Sequence, residues 1–128
     1  MIVVDTSALC AIVFAEPDGD LFGGVLSQPG RYLIGAPTAF EFLSVLYRRN
    51  GLEGMMAARD WLDDSVLEVV PWHDELLTIA HTALARFGGK PAQLNYGDCM
   101  SYALAKLLDA PLLYKGGDFA LTDIRSAI

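Results

Sequence analysis

The chain has 128 residues and a formal net charge of −7, the length of one domain and enough to bury an ordinary core. Hydrophobic residues make up 53% and charged residues 20%, which argues against disorder, and no apolar run approaches the roughly 18 residues of a membrane helix. The acidic balance argues against a simple nucleic-acid-binding module, since neutralising phosphates takes basic residues; it weighs less against a nuclease whose metal ions bring positive charge.

Ile2 to Val4 predicts a buried strand, and Thr6 or Ser7 can cap a helix to about Phe14. Pro17 opens a second helix to about Ser27, with proline at a favourable first position. Tyr32 to Ile34 is a short strand. Pro37 starts a helix through about Arg49, which Asn50-Gly51 stops, and Leu52 to Asp63 forms another. Val66 to Val70 is a strand, and His73 to Phe87 a helix ending at Gly88-Gly89. Arg86 to Gly97, with two glycines and Pro91, reads as a loop. Asp98 to Leu108 is a helix, apolar at 99, 100, 103, 104, 107 and 108. Leu112 to Tyr114 is a strand, and Arg125 to Ala127 a last edge strand. Strands alternating with helices imply an α/β fold with a parallel sheet covered on both faces, spanning residues 1–128 as one domain.

Asp5 is the only charged residue among the first fifteen. A carboxylate in such an apolar run is costly unless it is paired or binds a metal. Glu41, Asp98 and Asp118 are similarly isolated at expected element ends. Parallel sheets bind ligands beyond the carboxyl ends of their strands, so the topology can bring the four acids to one crevice. Converging carboxylates repel one another; a magnesium or manganese ion relieves that repulsion, keeps several waters and accepts phosphate oxygens. The implied chemistry is attack of metal-activated water on a phosphodiester. Each acid also has an ordinary reading: Asp5 and Asp118 as turn formers, Glu41 as a favourable charge near a helix start, Asp98 as a helix cap. Thr6 and Ser7 are candidates to support Asp5 or cap the helix, and Asp123 is a candidate fifth acid or a tail turn. Trp61, Trp72 and the tyrosines read as core or interface residues. Cys10 and Cys99 have no metal spacing and read as free thiols, which suits the cytoplasm. The opening lacks a basic n-region and Asp5 interrupts it, so it does not read as a signal peptide.

Met1-Ile2-Val3-Val4-Asp5-Thr6-Ser7-Ala8-Leu9 resembles the opening of the PIN-domain nucleases, and within them the VapC-type toxins of bacterial toxin–antitoxin systems. Ala36-Pro37-Thr38 through Glu41 is similar to their second acidic motif, and Leu94-Asn95-Tyr96-Gly97-Asp98-Cys99 to their third. Lys115-Gly116-Gly117-Asp118-Phe119 is similar to their closing segment, although many relatives carry an acid or asparagine where Gly116 or Gly117 stands here. The resemblance implies a three-layer fold with a central parallel sheet of about five strands. It implies a Mg²⁺-dependent endoribonuclease, with Mn²⁺ as an alternative ion, acting on RNAs such as tRNA. Asp5, Glu41, Asp98 and Asp118 carry over as the acidic quartet, with Asp5 and Asp98 as direct metal ligands. A VapB-like antitoxin and a homodimer are the expected partners. Phe14, Phe22, Met55 and Met56 are candidate interface residues.

Two other classes compete. A haloacid-dehalogenase-like phosphotransferase also starts with a strand ending in an aspartate, but it needs a second aspartate two positions on, where Ser7 stands. A catalytically inactive binding module would not need four acids in this order.

Overall fold

Four short strands, Ile2–Val4 (β1), Tyr32–Gly35 (β2), Leu67–Val70 (β3) and Leu112–Leu113 (β4), form one sheet in the computed structural model, which describes residues 1–128. Every pairing is parallel and the order is β3-β2-β1-β4. The helices are Thr6–Val13 (α1), Gly19–Leu26 (α2), Ala36–Asp64 (α3), Asp74–Phe87 (α4) and Tyr96–Leu108 (α5). Successive strand residues point to opposite faces, which splits the core in two. Val3 and Leu112 face α4 and α5, with Leu76, Ala80, Ala103 and Leu104. Val4, Ile34 and Leu113 face the other way, against Leu9, Phe22, Phe42 and Leu62 of α1 to α3. Strands buried on both faces carry no alternation of polar residues, and β1 and β4 accordingly read as plain apolar runs. Phe22, expected at an interface, is 2% exposed and belongs to this core.

The sheet has four strands where about five were expected. The expected edge strand at Arg125 to Ala127 is reduced to an isolated bridge between Ser126 and Leu112. Leu112 N–H donates to the Arg125 carbonyl and Ala127 N–H to the Leu112 carbonyl, both at 2.9 Å. β4 is only two residues long, so it offers an edge no longer than that bridge.

Three helix starts also differ from expectation: α2 begins at Gly19, after Asp18, rather than at Pro17. Asp5, not Thr6 or Ser7, caps α1: its carboxylate accepts from Ser7 N–H at 3.0 Å. α5 begins at Tyr96 because Asn95 is its cap; Asn95 Oδ1 accepts from Asp98 N–H at 2.8 Å, and Asp98 Oδ2 accepts from Asn95 N–H at 3.0 Å. That reciprocal pair satisfies two amides that no helical turn precedes. The stop at Asn50-Gly51 lies inside α3, where Gly51 adopts φ 71 and ψ −164 and separates two helical halves. A side chain there would be strained.

Two features of this topology position the site. All four strands share one carboxyl edge. The chain also switches sides at β1, whose neighbours are β2 through α1 and α2, and β4 after α4 and α5. A crevice opens where connections leave a parallel sheet in opposite directions, and Asp5 follows β1 at that point. No helix is long and apolar enough to cross a membrane.

Candidate active site

Asp5 is 5% exposed and both of its carboxylate oxygens are held. Ser7 Oγ donates to Oδ2 at 2.6 Å, alongside the Ser7 amide. Ser101 Oγ, on α5, donates to Oδ1 at 2.5 Å. Hydrogen bonds to a buried carboxylate offset part of its desolvation. Ser7 Oγ also accepts from Lys115 N–H at 2.9 Å, which ties the loop after β4 to the site.

Glu41 lies in the second turn of α3, which leaves β2 without a linker between Gly35 and Ala36. Thr6 Oγ1 donates to its Oε1 at 2.6 Å, with the Thr38 carbonyl oxygen 3.3 Å away. On its other side the carboxylate presses against α5. A Cβ on Gly97 would stand 2.1 Å from Glu41 Oε2, so the bare glycine backbone is what lets the two helices close around this acid.

Asp98, three residues before Ser101 on α5, is half-buried. Burial, followed by the charges of Asp5, Asp118 and Glu41, pushes its carboxyl from 3.8 up to about 6, against the opposing bond from the Asn95 backbone. One field therefore links the four acids. Asp118 is exposed and precedes the short 3-10 turn Phe119–Leu121. Gly116, at φ 98, turns the loop back toward the site. Phe119 anchors it, 3% exposed and with its ring centroid 5.0 Å from that of Tyr114.

No lysine or arginine bonds to any of the four. The chain's ion pairs engage Glu16, Asp18, Asp63, Glu68, Asp109 and Asp123 instead. Lys115, the nearest candidate in sequence, is turned away to Glu16 at 2.6 Å and Asp18 at 3.2 Å. Asp123, the candidate fifth acid, is held elsewhere by Tyr102 OH at 2.7 Å and Lys106 Nζ at 2.8 Å. Against burial, which would raise it, those bonds keep its carboxyl below the usual range. The negative field of the site reaches Cys10, whose thiol burial and the charges of Glu16, Asp5 and Glu41 push up to about 11. That thiol stays protonated and is no nucleophile at neutral pH.

Two residues escaped the sequence reading. Ser101 is 1% exposed and Thr38 2% exposed. Since Ser101 spends its proton on Asp5, Thr38 Oγ1 is the donor in their 3.4 Å contact. Thr38, Ser101 and Asp5 thus form a buried polar chain from α3 through α5 to the end of β1. The spacing of Ser101 from Asp98 was the available signal, because residues three apart share a helix face. Ser101→Ala should lower stability by about 2 kcal/mol, the scale of a bond to a charged group. A chemical denaturation midpoint checks this; an unchanged midpoint would show that the Asp5 clamp is energetically idle.

No three Asp, Glu, His or Cys side chains close on a single point as a complete ligand set. The donors nevertheless suit a hard cation: all are carboxylate oxygens, mutually repulsive and without a protein counter-charge. A loose set of this kind suits a divalent cation that takes few protein ligands and keeps its waters. It does not match zinc, which prefers tight nitrogen or sulfur ligation.

A sequence model of the PIN domain matches residues 2–124. The ribonuclease VapC of Mycolicibacterium smegmatis is 39% identical over 124 residues, covering 95% of this chain and 96% of that protein. VapC20 of Mycobacterium tuberculosis, described as a sarcin-ricin loop cleaving toxin, shares the fold with a TM-score of 0.81 at 21% identity, over 97% of this chain and 96% of that one. The fold also matches a chain of VapBC2 from Rickettsia felis, solved with a DNA fragment from its promoter: TM-score 0.73, 15% identity, 98% and 96% covered.

Proposed function

The chain belongs to the PIN domain family, and on that premise we propose that it is a VapC-type ribonuclease, the toxin of a toxin–antitoxin pair. The observation that carries this reading is the set of four acids at the carboxyl edge of the sheet, three of which act by charge on Asp98 and none of which is paired with a lysine or arginine. Asp5 and Asp98 would hold the ion, with Glu41 and Asp118 around it. Bound Mg²⁺ or Mn²⁺ supplies positive charge to a phosphodiester and lowers the pKa of an attacking water.

The chain's own groups do the positioning. Ser7 and Ser101 fix the Asp5 carboxylate before any ligand arrives, so its reorganisation cost is met on folding. Thr6 holds Glu41 Oε1 and leaves Oε2 without a protein donor, where it can orient a water. A cation held there would favour the ionised form of Asp98 that burial and the neighbouring acids disfavour. The phosphodiester of an RNA such as tRNA is the proposed substrate. A VapB-like antitoxin is the proposed inhibitor, and an arginine from it would meet the same unpaired acids. Leu77 and Leu84, 54% and 52% exposed on α4, support a homodimer, and the free thiols Cys10 and Cys99 support a cytoplasmic location.

Incubating the protein with total RNA should give cleavage with Mg²⁺ and none after EDTA, with Asp5→Ala inactive. The loss expected for that variant is at least ~100-fold. Metal-independent cleavage, or activity surviving in Asp5→Ala, would contradict the proposal. Release of phosphate from small phosphoesters through an aspartyl intermediate would favour the phosphotransferase reading instead.

A further inference from the structure

A cleft of about 270 Å³ beside Glu41 is lined by Pro37, Phe40, Glu41, Ser44, Arg48 and Tyr96. It opens on the acids, since Glu41 belongs to both. Phe40 is 69% and Tyr96 78% exposed, the two most exposed large apolar side chains of the fold. They are the chain neighbours of Glu41 and Gly97, the residues that touch where α3 meets α5. Neither ring joins an aromatic pair. The sequence placed the tyrosines in the core or an interface; Tyr96 stands at the mouth of the acid site.

Arg48 is the cation of this cleft. Of the nine lysines and arginines, Arg31, Arg59, Arg86, Lys106, Lys115 and Arg125 bind carboxylates. Arg49 lies over the Phe14 ring. Lys90, in the loop between α4 and α5, and Arg48 have neither kind of partner; only Arg48 lines this cleft, and its one side-chain bond is to Ser44 Oγ at 3.3 Å. An uncommitted guanidinium next to two free aromatic faces matches the elements of a single-stranded nucleic-acid seat: a charge for the backbone and rings for the bases.

We infer that this cleft seats a short single-stranded stretch of the RNA, with Arg48 on a phosphate next to the scissile one and Phe40 and Tyr96 stacked on flanking bases. The inference rests on the ribonuclease reading for its substrate. It goes further by naming the residues that position that substrate and by requiring unpaired bases at the cut.

The test reads binding without cleavage, in an Asp98→Asn background. The probes are a fluorescent pool of short oligoribonucleotides of random sequence and an abasic chain of equal length. Phe40→Ala and Tyr96→Ala should each weaken the pool about tenfold and leave the abasic chain unchanged, and Tyr96→Phe should restore binding. Arg48→Ala should weaken both probes and lower the salt slope by about 0.7. In the otherwise native enzyme, Phe40→Ala should raise KM more than it lowers kcat, a split that a damaged fold would not give. Unchanged pool affinity in all three alanine variants overturns the inference. So does loss of self-association or antitoxin binding with RNA affinity intact, which would make the cleft a protein interface. A native protein that binds the pool through these residues yet cuts no RNA with Mg²⁺ would overturn the ribonuclease reading alone.

Discussion

Replacing Asp98 with asparagine should abolish RNA cleavage and at the same time stabilise the metal-free protein. The Asp98 carboxyl titrates at about 6 in the fold against 3.8 in the open chain, first because it is buried and then because Asp5, Asp118 and Glu41 surround it. The folded state therefore disfavours the ionised form. The penalty is fully present above pH 6 and shrinks as the pH falls from there toward 3.8, where the native state binds the extra proton. Asparagine carries no charge, and its Oδ1 can still accept the Asn95 N–H that closes the α5 capping box. After discounting for partial exposure, the gain at neutral pH is about 1–2 kcal/mol, or a rise in Tm of about 3–8 °C. Cleavage should fall at least ~100-fold, since the variant would lack one of the two proposed metal ligands. Melting curves in EDTA at pH 7.5 and pH 5 test the first half; the gap between variant and native should be wider at pH 7.5. Mg²⁺ should then narrow it by stabilising only the native enzyme. A variant that melts lower than native in EDTA, or that still cuts RNA, would refute this account of Asp98.

Gly97→Ala should disable the enzyme without unfolding it. The added Cβ would stand 2.1 Å from Glu41 Oε2 and 2.9 Å from Glu41 Cδ. Those atoms end a flexible side chain, so the carboxylate can swing away while the helices stay in place. The swing breaks the 2.6 Å bond from Thr6 and takes Glu41 out of the site. Alanine inside a helix is favoured over glycine by about 1 kcal/mol, which offsets part of the lost contact. The net stability change should lie within about 1 kcal/mol, while kcat/KM falls about 100-fold, as in Glu41→Ala. Combining the two substitutions should cost little more than either one, because they remove the same interaction. Additive losses in the double variant would mean that Gly97 acts by another route; native activity in Gly97→Ala would mean that Glu41 need not sit where it does.

The α/β class was legible in the alternation of apolar runs, and β1, β2 and β3 lie close to their expected places. The four acids stood out individually because a charge inside an apolar segment carries a desolvation cost that local structure alone does not repay. Boundaries moved where caps were misassigned: Asp5 and Asn95 take the positions expected of Thr6 or Ser7 and of Asp98. Arg125 to Ala127 looked like a strand from its neighbours, but strand pairing depends on a partner edge, and β4 is too short to supply one. The PIN-type motifs could be matched along nearly the whole chain, since those residues cluster around the acids.

Tertiary structure alone decided what surrounds those acids. Ser101 reads as an ordinary helical serine until α5 crosses the end of β1 and aims it at Asp5, 96 positions away in the chain. Asp123 looked like a possible fifth acid of the site, and it is drawn off by Tyr102 and Lys106. Gly97 matters only because Glu41 arrives from another helix, and Tyr96 is exposed only because nothing packs over the mouth of the cleft. By itself the sequence determined which residues carry a charge that the interior must accommodate, because that follows from composition and local pattern. Which charges meet, which are neutralised and which stay open to a ligand depends on distances between segments far apart in the chain, and those exist only once the sheet is assembled.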